Sequence, residues 1–94
     1  MSSRVAVVTG GTGSIGTEIC KQLADAGCLV AATCLPGEAD NVAKEWQEAR
    51  KGEGYDFTVV PAELSELDQA EAAVKQVEEA LGPVDILVNA AGIT

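Results

Sequence analysis

The 94-residue chain has no histidine, one tryptophan, one tyrosine, one phenylalanine, and only six Lys plus Arg against fifteen Asp plus Glu. Without histidine no Ser-His or Cys-His nucleophile can be assembled from these residues. Cys20, Cys28 and Cys34 are an odd number with no C-x-x-C pair, which argues against a disulfide framework and a structural zinc site. They read as small apolar residues of a reduced, cytoplasmic protein. The net charge of -9 repels phosphate backbones and anionic lipid, so nucleic acid and membrane surfaces are poor partners. No apolar run approaches the ~20 residues that span a bilayer. Met1-Ser2-Ser3-Arg4, followed at once by a strand-like run, does not read as a signal peptide.

What is present is aliphatic. The chain is 47% hydrophobic with 3% aromatic residues, a globular balance that suits strands covered on both faces. Arg4 to Thr9 is a nearly continuous apolar run and predicts a buried parallel strand. A glycine-rich turn follows from Gly10 to Gly16. Ile15, Ile19, Leu23 and Ala26 recur at three- and four-residue steps, predicting a helix from Ser14 or Ile15 to Ala26, with Gly27 in the left-handed position after it. Cys28 to Cys34 reads as a second strand, closed by Pro36-Gly37.

A second helix is predicted from Asp40 to Arg50, with Val42, Ala43, Trp46 and Ala49 inward. Tyr55 to Val60 is the third strand, ended by Pro61. Ser65 should cap a third helix running to Leu81, with Asp68 in the capping-box position and a stripe of Leu67, Ala70, Val74, Val77 and Leu81. Val84 to Val88 is the fourth strand. Strand and helix therefore alternate in an α/β pattern, which predicts right-handed crossovers and a parallel, doubly wound Rossmann-type sheet in the order 3-2-1-4. We expect residues 1–94 to form one domain. The last strand ends close to Thr94 with no later segment to cover its outer edge, as expected of the front half of a larger fold.

Gly11-Thr12-Gly13-Ser14-Ile15-Gly16 fits G-x-G-x-x-G between a strand and a helix, the context that makes the pattern specific. Glycines permit the tight turn and let the main chain approach a pyrophosphate, while the helix N-terminus offers free N–H groups to the anion. The rival loop G-x-x-x-x-G-K-[ST] needs lysine at position 17, where Thr17 stands. A carboxylate at the end of the second strand would accept the ribose hydroxyl of NAD, and an arginine there would take the 2′-phosphate of NADP. Thr33-Cys34-Leu35 carries neither. The missing acid tilts the balance to NADP, yet no Lys or Arg falls between Lys21 and Lys44, and Glu38 and Asp40 are near, so the choice stays open.

Thr9-Gly10-Gly11-Thr12-Gly13-Ser14-Ile15-Gly16 together with Val88-Asn89-Ala90-Ala91-Gly92 resembles the short-chain dehydrogenase/reductase family, whose patterns are T-G-x-x-x-G-x-G after the first strand and N-N-A-G after the fourth. The likeness runs from the first strand to the fourth and looks strongest to its acetoacetyl-CoA reductase branch. Residues 4–11, 15–20, Cys34-Leu35-Pro36, Tyr55-Asp56-Phe57 and 88–94 carry that impression. It implies reduction of a 3-ketoacyl-CoA such as acetoacetyl-CoA by a nicotinamide hydride, in polyhydroxyalkanoate biosynthesis. The 3-oxoacyl-carrier-protein reductases, the extended nucleotide-sugar branch and a non-catalytic dinucleotide-binding fragment are the alternatives.

Carried over from the family, Gly10, Gly11, Thr12, Gly13, Ser14, Ile15 and Gly16 would line the pyrophosphate and its ribose. Cys34 and Leu35 would border the adenosine ribose, Glu63 and Leu64 the adenine, and Asn89, Ala90, Ala91 and Gly92 would pass along the cofactor. Three departures are Ser14, where the pattern has glycine, Ala90, in place of the second asparagine, and Glu63, one methylene longer than the Asp that the family usually places beside adenine. The family's catalytic Ser and Tyr-x-x-x-Lys fall beyond the second pattern. The resemblance therefore implies that these 94 residues bind cofactor without turnover of their own, within an enzyme that assembles as a homo-oligomer. Tyr55, with Val59 four residues on, reads as a strand residue and not as the acid.

Overall fold

The computed structural model describes residues 4–38, 41–63 and 67–89. Four strands, β1 (Val5–Thr9), β2 (Leu29–Cys34), β3 (Thr58–Pro61) and β4 (Val84–Asn89), alternate with helices α1 (Ser14–Asp25), α2 (Val42–Gly52) and α3 (Leu67–Leu81). A single turn of 3-10 helix, Pro36–Glu38, follows β2. The strands form one parallel sheet in the order β3-β2-β1-β4, as the alternation predicts.

The two central strands explain why the sequence there is almost purely aliphatic. All five residues of β1 are buried, and so are the last five of β2. On one face Val5, Val7, Ala31 and Val60 pack under Ala73 and Val77 of α3. On the other, Val8, Val30 and Ala32 meet Cys20 of α1, with Ile19, Leu23, Trp46 and Phe57 around them. The helices thus wind on both sides, with α3 on one face and α1 and α2 on the other. Each fully buried valine of this kind contributes on the order of 2 kcal/mol.

Local signals set the joints. After α1 the amide of Gly27 donates to Ala24 O (2.9 Å) and that of Cys28 to Leu23 O (3.0 Å), the paired bonds of a Schellman ending. Gly27 has the expected left-handed φ of 95°. Helix α2 begins at Asn41, whose side chain accepts from the Val42 amide at 2.6 Å. It ends with Arg50 and Lys51, which complement the negative end of the helix dipole.

Four expectations need correction. In α2, Val42 and Ala49 face solvent, and only Ala43 and Trp46 turn inward. In α3, Val77 is buried and Leu81 packs on the core as expected, but Leu67 is 71% exposed, Val74 also lies outward, and Ala73 is buried in their stead. Alanines on both sides of that helix leave two rotations with similar apolar content, and the small side chains win because they let the helix sit close to the sheet. Residues 55–57 precede β3 instead of belonging to it, because Phe57 stacks on Trp46 and Tyr55 stacks on Phe57. Pro61 pairs with Cys34 within β3, which its place on an edge strand tolerates. The proposed cap at Ser65 lies outside the described residues.

Between β1 and β4 the register slips, Val5 lying opposite Val84 but Ala6 opposite Ile86. Asp85 is therefore the extra residue of a bulge. Its carboxylate accepts the Val5 amide at 2.9 Å, replacing the ladder bond that the slip removes. The slip also reverses the faces of β4, so that Val88 joins the α1 side of the core.

Candidate functional site

The carboxyl ends of the parallel strands bring Thr9-Gly10, Cys34-Leu35, Ala62-Glu63 and Asn89 to one edge, with the chain reversing its direction of winding between β1 and β4. Such a reversal opens a crevice beyond the strand ends. The glycine turn crosses it. Gly10 has a φ of 65°, a left-handed conformation that a side chain would resist. Its amide donates to Thr33 Oγ1 at 3.1 Å, fastening the turn to β2. The Gly13 amide closes the turn onto Gly10 O at 3.2 Å.

The three glycines of the motif have separate physical reasons. A Cβ at Gly11 would lie 2.6 Å from Ala32 Cβ and 3.0 Å from Val8 O, so the turn packs directly on the sheet. A Cβ at Gly16 would collide with Gly10 O and stand 2.7 Å from Gly11 Cα, so α1 is seated against the turn. At Gly13 it would meet only Gly10 O, at an ordinary 3.5 Å. Gly13 is exposed, and no side chain caps the helix it opens. The first helical N–H groups, which have no carbonyl one turn earlier, are thereby available to an external acceptor. These features fit a pyrophosphate, which needs close main-chain approach and unclaimed amides.

Around the turn, Thr9 Oγ1 donates to Asn89 Oδ1 at 2.8 Å across the reversal point. Cys34 is buried at the end of β2 and Leu35 is exposed beside it; Ile15 is likewise exposed on the first turn of α1. The Glu63 amide donates to Gln69 Oε1 at 2.7 Å, bracing the link from β3 to α3. Leu64, Ala90, Ala91 and Gly92 fall outside the described residues. Of the expected site residues, then, Gly10 to Gly16, Cys34, Leu35, Glu63 and Asn89 share the carboxyl edge.

Other candidates lie elsewhere or are inert. The Tyr55 hydroxyl donates to the Asp25 carboxylate (3.0 Å), and that bond raises the phenol above its ordinary value. Asp25 ends the helix that the glycine turn begins, about 16 Å along its axis, so Tyr55 is no partner of the turn. Burial pushes the Cys20 thiol up to about 12, and its Sγ lies 3.9 Å from Gly11 O. No cluster of metal-ligating side chains occurs among the described residues. Among them, too, no helix is long and apolar enough to cross a membrane.

Sequence reasoning missed two contributors. Thr17 Oγ1 donates to Gly13 O at 2.6 Å, and Trp46 Nε1 donates to Thr17 Oγ1 at 2.8 Å. Thr17 entered the argument only as the residue that is not lysine, and the amphipathic pattern of α2 places Trp46 inward without naming its partner.

A parallel sheet ordered 3-2-1-4, wound on both faces and crossed by a glycine turn at its point of reversal, defines a Rossmann-type α/β protein. The sequence profile of the short chain dehydrogenases matches residues 4–94, and the chain belongs to that family. An acetoacetyl-CoA reductase of Allochromatium vinosum is 51% identical over 92 residues, covering 98% of this chain and 37% of the relative. Nodulation protein G of Azospirillum brasilense is 46% identical over 94 residues, covering the whole chain and 37% of that protein. Among solved structures, a blue fluorescent protein from a metagenomic library in complex with NADPH superposes with a TM-score of 0.77 at 34% identity, over 92% of this chain and 35% of that one. The chain thus spans about a third of the length of the proteins it matches.

Proposed function

We propose that residues 1–94 form one, partial dinucleotide-binding domain of an NAD(P)H-dependent reductase acting on a 3-ketoacyl thioester such as acetoacetyl-CoA. The observation that carries this reading is the difference among the glycines. Gly11 and Gly16 are required by packing, whereas Gly13 has room for a methyl group and borders an uncapped helix end. A turn built only to join a strand to a helix has no need of glycine there.

In this reading Gly10 to Gly16 hold the pyrophosphate and adjoining ribose through backbone amides. Cys34 and Leu35 border the adenosine ribose, Glu63 and Leu64 the adenine, and Asn89 to Gly92 the nicotinamide side. Exposed Leu35 and Ile15 give an otherwise polar ligand apolar surface to rest on. The bound nicotinamide supplies the hydride; these residues supply binding and orientation. NADP is slightly favoured over NAD by the missing carboxylate at Cys34-Leu35, against the nearness of Glu38 and Asp40 in the sequence. The thioester substrate is supported by the acetoacetyl-CoA reductase relative.

Calorimetric titration with NADPH and with NADH tests the cofactor reading, the expected result being saturable binding with NADPH the tighter. Failure to bind either would overturn it. In the complete enzyme, acetoacetyl-CoA should then drive NADPH consumption; cofactor binding without turnover of any 3-ketoacyl thioester would leave the cofactor reading standing and remove the substrate.

A further inference from the structure

The one tryptophan, one tyrosine and one phenylalanine of the chain form a single stack on the α1 side of the sheet. Trp46 and Phe57 have ring centroids 5.4 Å apart and Tyr55 and Phe57 5.3 Å, each pair within 21° of parallel. Phe57 is 2% exposed, so the stack is anchored in the core. Its outer member sends the indole N–H from α2 to Thr17 on α1, a contact between residues 29 apart in sequence.

A hydroxyl has one proton to give. With the indole donating to its oxygen, Thr17 turns that proton to Gly13 O at 2.6 Å; Gly11 O, at 3.5 Å, is the poorer acceptor. Gly13 O also accepts the Thr17 amide at 2.8 Å. Both lone pairs of that carbonyl are therefore engaged from the helix side. The peptide group is planar and trans, so fixing the Gly13 carbonyl fixes the Ser14 N–H pointing the opposite way, off the end of α1. A threonine bonding one turn back is common in helices. A second donor from another helix, locking its hydroxyl, is what sets this one apart.

Building on the dinucleotide reading, we propose that Trp46 and Thr17 are positioning residues for phosphate binding: the indole N–H fixes the Thr17 hydroxyl, which clamps the Gly13 carbonyl and so aims the Ser14 N–H at the ligand's pyrophosphate. Thr17 stands at the sequence position where the rival phosphate loop carries lysine. It acts by orienting the backbone instead of by charge.

Trp46→Phe keeps a ring in the stack and removes the N–H; Thr17→Val keeps the shape and removes the hydroxyl; Thr17→Ser keeps the hydroxyl. Thr17→Val should weaken NADPH about tenfold, equivalent to about 1.4 kcal/mol, and Trp46→Phe about fivefold, the scale of one hydrogen bond. Added to the Thr17→Val variant, Trp46→Phe should cost nothing further, because its effect passes through Thr17. Thr17→Ser should bind NADPH within about twofold of wild type. Adenosine 2′-monophosphate, which has no pyrophosphate, should bind all variants equally, a result that general loosening of the fold would not give. Should Trp46→Phe melt early, the isosteric Thr17→Val carries the test alone. NADPH binding by Thr17→Val at wild-type strength, or a matching loss for adenosine 2′-monophosphate, would overturn the clamp and leave the cofactor reading intact. Absence of NADPH binding by the wild type overturns the cofactor reading, and the clamp with it.

Discussion

Alanine at Gly13 and alanine at Gly16 are the same chemical change three residues apart, and the structure expects opposite consequences. At Gly16 the new methyl group meets backbone on two sides, Gly10 O and, at 2.7 Å, Gly11 Cα. Neither can rotate away, so the strain belongs at the upper end of the about 1–3 kcal/mol typical of overpacking. Because Gly16 is helical, alanine also gains about 1 kcal/mol of helix propensity. The net is a loss of about 1–2 kcal/mol, or about 5–15 °C in melting temperature for a domain of this size. At Gly13, φ of -77° and ψ of 175° suit alanine, and the nearest contact is an ordinary 3.5 Å. Only the weaker N-cap preference is lost, under about 1 kcal/mol. In the proposed reading the methyl group nevertheless stands where main chain approaches the pyrophosphate, so NADPH should weaken tenfold or more, at least about 1.4 kcal/mol. Circular dichroism melts and calorimetric titrations of both variants decide. Gly13→Ala binding NADPH like wild type would falsify the assignment of that glycine to the ligand. Gly16→Ala melting like wild type would refute the packing argument.

Three further outcomes follow from single contacts. Asp85→Ala leaves the Val5 amide without its acceptor at the bulge and should lose about 1–3 kcal/mol in urea unfolding, whereas Asp85→Asn, which keeps a carbonyl oxygen there, should lose less; equal losses would show that the bulge does not depend on this bond. Cys20 is fully buried with its thiol pushed up to about 12, so mass spectrometry of the native protein after maleimide treatment near neutral pH should find half-buried Cys28 labelled well before Cys20, and equal labelling would contradict the packing of α1. Glu53 accepts a 2.9 Å bond from Lys21, with Arg50 also 2.9 Å away, and these cations hold its carboxyl below the ordinary 4.5. A depressed folded-state value adds stability above the unfolded-state value that disappears as pH falls through the folded one. The difference between wild type and Glu53→Gln should therefore be present at neutral pH, shrink below about pH 4.5 and diminish in high salt.

The strands, their order and the glycine turn were legible because each is written in local chemistry. Continuous Val-Ala runs can only be buried strands, and their alternation with helices leaves few topologies. Gly11, Gly13 and Gly16 are readable because one steric property, the lack of a Cβ, is all that each contributes. The helix faces were legible only where the apolar residues are large and unambiguous. In α3, Val77 and Leu81 of the expected stripe do meet the core, but Leu67 and Val74 turn outward and Ala73 takes a place against the sheet. Periodicity weighs hydrophobicity, but close approach to a flat sheet rewards small size.

The bulge and the clamp were illegible for a different reason, since each is a relation between residues far apart in the chain. Asp85 sits near the start of a strand, a neutral fact until the Val5 amide is found within reach of its carboxylate. Trp46 looks like packing on any helical wheel, and Thr17 like an ordinary surface residue of α1. Only the stack on Phe57 brings the indole N–H to the threonine hydroxyl. The motif suggests where backbone would meet a ligand; it does not show what holds that backbone still. Support supplied by distant side chains can differ between proteins that share the same glycines, which makes the clamp a place for affinity to vary while the motif stays unchanged. Exchanging Trp46 alone should then retune cofactor affinity while every glycine of the motif stays in place.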